Sequence, residues 1–150
     1  MSLAEQIDHD LKEAMKARDA ARLGTLRMLK SALKYAAIEK SGADAVVDDE
    51  TAVTVIRKQI KQREDAAEGF EKGGRPDSAA NERAEISVMS VYLPAALSAE
   101  ELAAIVKEAI AETGATGKAQ MGVVMKVAQA KAAGRADGKS LSAEVQKHLA

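Results

Sequence analysis

Apolar residues recur along this chain every three or four positions, the spacing that lines one side of an α-helix, and glycine, proline or aspartate closes each run. Ser2-Leu3-Ala4-Glu5 has the form of a capping box and opens a first helix over 3–17, with Leu3, Ile7, Leu11, Ala14 and Met15 on one side. Asp19 is placed to cap a second helix that carries Leu26, Leu29, Leu33, Ala36 and Ala37 and ends near Gly42. Asp48 or Asp49 caps a third, with the stripe Val53, Ile56, Ile60, Ala67 and Phe70, stopped by Gly73-Gly74. Pro76 suits the first turn of a fourth, whose inward residues are Ala79, Ile86, Met89 and Leu93.

Tyr92-Leu93-Pro94 interrupts the pattern, because proline lacks an amide hydrogen and its ring clashes with the preceding turn. Ser98 and Glu101 then form a second capping box. Leu102, Ile105, Val106, Ala109 and Ile110 make the buried side of a fifth helix closed by Gly114. Met121, Val124, Met125, Ala128 and Ala132 do so for a sixth closed by Gly134, and Ser140 opens a last one with Leu141, Val145 and Leu149. The expected fold is all-α: a four-helix N-terminal part over 1–94, a hinge at Tyr92, Leu93 and Pro94, and a smaller three-helix part over 95–150.

Composition narrows the chemistry. Aromatic residues are only 2% of the chain and tryptophan is absent, so the core must be aliphatic, as helix packing permits. The absence of cysteine removes disulfides, thiolate ligands and thiol nucleophiles. No apolar run approaches a membrane span and the N-terminus lacks a signal pattern; the expected location is the cytoplasm. His9 and His148 have no second imidazole at ligand spacing, and Gly114-Ala115-Thr116-Gly117-Lys118-Ala119 fails as a phosphate loop, with glycines too close and alanine where a hydroxyl is needed. No cofactor, no metal and no catalytic constellation is expected.

Net charge is −1, yet the stretch from Lys12 to Lys34 holds Lys12, Lys16, Arg18, Arg22, Arg27, Lys30 and Lys34 against Glu13 and Asp19. Arg27, Lys30 and Lys34 fall beside the apolar stripe of the second helix, and Arg57, Lys58 and Lys61 on the outer side of the third. Such residues form either an ordinary solvated face or a surface for a phosphate backbone. Gly134-Arg135-Ala136-Asp137-Gly138-Lys139 is either a plain connector or a charged turn with open amides. Arg63 falls in the middle of an apolar stripe, as does Glu82, and the economical arrangement pairs them, with Glu85 as second choice. Arg22 lines up with Leu26 near a helix end, where it reaches water.

Leu26-Arg27 with Ser31-Ala32, Lys61-Gln62-Arg63, Gly74-Arg75, Glu82 with Glu85, Tyr92-Leu93-Pro94, the stretch Met121 to Lys126 and the stretch Gly134 to Lys139 occur in one order along the chain. That ordered set resembles the GatB/YqeY family, specifically its free-standing YqeY-like members. The resemblance implies a fold similar to the tail region of the B subunit of the glutamine-dependent tRNA amidotransferase, a region associated with tRNA engagement. It implies tRNA, or a protein of the translation or tRNA-amidation machinery, as partner. The family label of carbon–nitrogen ligase with glutamine as amide donor follows from domain association. The functional expectation is therefore a tRNA-binding accessory module, non-catalytic by itself, with Arg27, Lys30, Lys34, Lys126, Arg135 and Lys139 as backbone contacts; a protein-interaction adaptor is the alternative.

Overall fold

The computed structural model describes residues 1–149, and among them the chain forms seven α-helices, one turn of 3₁₀ helix and no strand. They are α1 (Leu3–Ala17), α2 (Ala20–Ser41), α3 (Asp49–Lys72), α4 (Pro76–Ser90), α5 (Ala99–Thr113), α6 (Met121–Ala132) and α7 (Gly138–His148), with the 3₁₀ turn at Lys118–Gln120. Two compact units result, Met1–Leu93 and Pro94–Ala150.

In the N-terminal unit α1 packs on α2, α3 on α4, and α2 touches both α3 and α4. Local chemistry sets the helix ends. The Ser2 hydroxyl accepts from the Glu5 amide at 3.1 Å while the Ser2 amide donates to Glu5 Oε2 at 3.0 Å, which satisfies two of the free donors of a helix start. Asp19 accepts from the Arg22 amide and Asp48 from the Thr51 amide, so α2 and α3 begin at the aspartates. The Thr51 amide first, then the Thr51 side chain and Lys40, hold the Asp48 carboxyl below its ordinary value. The core joins Ile7, Ala14, Leu26, Leu29, Leu33, Ile56, Met89 and Tyr92. Along α3 the stripe expected at Val53, Ile60 and Phe70 is only partly covered, and Ala52, Ile56, Arg63 and Ala67 are the buried positions.

The C-terminal unit packs α5, α6 and α7 pairwise around Val106, Ala109, Val124, Ala128, Leu141, Val145 and Leu149. Gly114 ends α5 at φ 66°, a left-handed conformation that glycine adopts without a Cβ clash. One helix boundary differs from the pattern-based expectation. α7 opens at Gly138, not Ser140, because the Asp137 carboxylate accepts the Ser140 amide at 2.6 Å and so takes the capping position itself.

Candidate nucleic-acid interface

α2 carries Arg22, Arg27, Lys30, Lys34 and Lys40 against a single acid, Glu39, and so is the most one-sidedly charged helix of the N-terminal unit. Neighbouring aspartates answer three of those cations. Arg22 Nη2 lies 3.8 Å from Asp10 Oδ2, Lys30 Nζ 2.7 Å from Asp8 Oδ1, and Lys40 Nζ 3.3 Å from Asp48 Oδ2. Arg27 and Lys34 are exposed and have no hydrogen-bond or ion-pair partner among the described residues. They stand seven residues apart, two helical turns, and therefore point the same way about 10 Å from each other along the axis. Lys30, grouped with them from the sequence, is a spoken-for cation: Asp8 on α1 is opposite it, and the α1–α2 pairing that brings it there is invisible in the helical pattern.

Tyr92 belongs to the N-terminal core. It is 5% exposed, and its hydroxyl donates to Asp10 Oδ2 at 2.5 Å, on the same carboxylate that Arg22 approaches. Burial, and then the Asp10 anion, push the Tyr92 phenol well above its ordinary value. The segment that follows α4 is thus fastened to α1 just before the unit boundary at Leu93 and Pro94.

Arg63 is buried, as its place on α3 requires, but its partner is Glu85 and not Glu82. Nε lies 2.8 Å from Glu85 Oε2, and Nη1 donates to the Gln59 carbonyl at 2.9 Å and to Gln59 Oε1 at 2.8 Å. Nη2 is 2.7 Å from the Met28 sulfur on α2. Glu82 and Glu85 are one turn apart on α4, so periodicity places both toward α3 and only the offset between the helices selects one. Among the described residues no buried side-chain polar atom lacks a partner. A buried guanidinium with all three nitrogens engaged in this way ties α2, α3 and α4 together.

In the C-terminal unit Arg135 is likewise removed from the candidate contacts. Its Nη2 lies 3.0 Å from Glu101 Oε2 on α5, its Nε donates to the Ala95 carbonyl at 2.9 Å, and its own carbonyl accepts the Leu97 amide at 3.1 Å. The 134–139 turn is a latch on the strand-free segment 95–98, and Arg135 is its bolt. Nothing in the local sequence announced this, because Ala95 and Glu101 lie 40 and 34 residues away. Lys126 and Lys139 are exposed and unpartnered among the described residues. Lys131, on the same helix as Lys126, sits between Glu108 and Glu112 at 3.5 and 2.7 Å, and its bond to Glu112 raises its affinity for the proton.

The sequence reading passed over Tyr35. It is 73% exposed on α2, next to Lys34, and its hydroxyl has no partner among the described residues. An aromatic outside the apolar stripe of an otherwise aromatic-poor chain was the available signal. Among the described residues no group of three or more His, Asp or Glu could hold a metal ion, and no helix is long and apolar enough to cross a membrane.

On α2 three of the five cations are tied to aspartates, and Arg27 and Lys34 are left open on one side of the helix. The chain belongs to the YqeY-like protein family, whose model matches residues 4–149. It is similar to a protein of Eremothecium gossypii named altered inheritance of mitochondria protein 41, mitochondrial, with 34% identity over 100 residues, 65% of this chain and 54% of that protein. The Lachancea thermotolerans protein of the same name is 38% identical over 84 residues, covering 56% of this chain and 44% of the relative. One from Pyrenophora tritici-repentis is 28% identical over 145 residues, covering 94% and 77%. The chain spans about half the length of the first two of these relatives. Their names overturn the cytoplasmic expectation. A cysteine-free chain without a membrane-length apolar run reports on thiol chemistry and hydropathy, which do not choose among compartments.

Proposed function

We propose that this YqeY-like chain is an RNA-binding accessory module that takes part in no bond-making step itself, with tRNA as the ligand that the amidotransferase-tail resemblance suggests. The single observation behind this reading is the unequal use of cations on α2: three are neutralised by aspartates, while Arg27 and Lys34 face outward from one side with no carboxylate to hold them. An unpaired Lys or Arg gains by neutralising a phosphate and releasing its counterions, whereas a paired one must first break its own bridge. Arg27 and Lys34 are therefore the main contacts, and Lys126 and Lys139 add to them from the C-terminal unit. Arg135 and Lys30 leave the list of primary contacts.

The test is a fluorescence-anisotropy titration of the purified chain with total tRNA at two salt concentrations. With four phosphate contacts, log K falls with log salt at a slope of about −3 to −4. Arg27→Glu with Lys34→Glu weakens binding at least tenfold and flattens that slope by about 2. Arg135→Ala leaves both unchanged. Absence of binding at low salt, or binding indifferent to salt, ends the proposal, and recovery of a stoichiometric protein partner after nuclease treatment replaces it with the adaptor reading.

A further inference from the structure

The chain has two tyrosines, and the fold uses them in opposite ways. Tyr92 is sealed in the core with its hydroxyl bound to Asp10, while Tyr35 is 73% exposed with its hydroxyl unbonded among the described residues. A solitary exposed tyrosine is unremarkable. Here, however, it stands a quarter-turn round α2 from the line of the two open cations, on the adjoining exposed surface. Ser31 lies one turn before Tyr35 and Ile38 three residues after it, both exposed, so its neighbours along the helix surface are a small polar residue and an aliphatic one. Lys34 is its immediate neighbour, and Arg27 lies two turns toward the helix start. Met28, two turns before Tyr35 on the same side of the helix, has its sulfur against Arg63 and closes the surface at that end.

A phosphate-binding pair alone would accept any polyanion. We infer that this face of α2 is selective for unpaired nucleotides: a base stacks on the Tyr35 ring while Lys34 and Arg27 hold flanking phosphates. The inference rests on the RNA-binding reading above and adds the class of RNA. Bases within a duplex are stacked on one another and withhold their faces, whereas those of a loop or a free end are available to an aromatic side chain. The face is a convex helix surface with only one aromatic, so it accommodates one base and follows the strand by charge on either side.

The experiment compares a short unstructured RNA oligonucleotide with its fully paired duplex at the same low salt, using the whole chain and the variants Tyr35→Ala and Tyr35→Phe. The expected result is preference for the single strand, about tenfold loss of it in Tyr35→Ala, and retention in Tyr35→Phe, whose ring still stacks. In a chain without tryptophan, tyrosine emission is an internal reporter: single-stranded RNA quenches it, and Tyr35→Phe keeps the affinity but loses that quenching. Equal binding of single strand and duplex with Tyr35→Ala unaffected overturns this inference and leaves the electrostatic reading standing. Failure of both RNAs to bind overturns the two together. Unchanged melting of Tyr35→Ala, expected for so exposed a side chain, separates a binding loss from a folding one.

Discussion

Ile7, Leu26, Leu29, Ile56 and Met89 are the large side chains fully buried in the N-terminal unit, whereas the C-terminal unit is centred on Val106, Val124 and Val145 with Leu141 as its one such leucine. In each unit an arginine braces parts of the fold that are distant in sequence, but in different places. Arg63 lies inside, its side chain 9% exposed, and braces helix against helix; Arg135 is 40% exposed and braces a turn against an incoming segment. The difference shows how helical units of unequal size reach order. A unit with enough aliphatic volume can bury an arginine and spend it on register, while one built from valine and alanine removes less apolar area from water and uses charge at its edge to hold loose segments.

The sharpest way to break that contrast is at the cores. Leu29→Ala deletes a fully buried leucine of the larger unit and lowers stability by about 2–5 kcal/mol, measured by denaturant unfolding; Leu141→Ala removes a similar volume from a smaller core and should abolish the cooperative melting of that unit first. Next comes the Arg63 brace. Glu85→Ala leaves a buried guanidinium short of its carboxylate and costs about 1–3 kcal/mol, whereas Glu82→Ala stays within about 0.5 kcal/mol. Equal effects of the two substitutions would deny the helix offset described here.

Tyr92→Phe removes a hydrogen bond to a carboxylate and costs about 1.5 kcal/mol. Its pH signature has a definite sign. The folded-state phenol is raised above its unfolded value, so the folded chain keeps a proton that the unfolded chain gives up above about pH 10. Stability from this group is therefore complete below that pH and declines above it, and Tyr92→Phe flattens the alkaline limb of the unfolding curve. Smaller again is the edge latch: Arg135→Ala lowers the stability of the C-terminal unit by about 1 kcal/mol, an exposed ion pair plus one bond to a backbone carbonyl. Lys139→Gln, with no partner to lose, changes stability by less than about 0.5 kcal/mol.

Much of the fold was legible because helix chemistry is local. The Ser2 and Ser98 caps, the aspartate caps at positions 19 and 48, and Pro76 in a first turn each act within four residues, and the structure has them in those roles, except that the capping box expected at Ser98 is only half made: Ser98 accepts the Glu101 amide, while the Glu101 carboxylate is taken by Arg135. Ser140 was misjudged by two residues because Asp137, a competing cap, lay within the same turn. That Arg63 needed a carboxylate followed from its position among apolar neighbours, a one-helix argument.

What the amino-acid order determined by itself is the helical content, the ends of most helices and which face of each is apolar, since spacing and capping need only neighbours in the chain. Tertiary structure decided which acid answers Arg63, that Arg135 is spent on Ala95 and Glu101, that Asp8 takes Lys30, and so that Arg27 and Lys34 remain open beside Tyr35. The reason is physical: whether a charge is free depends on what stands within about 4 Å of it, and across a helix contact that is fixed by offsets no periodicity encodes.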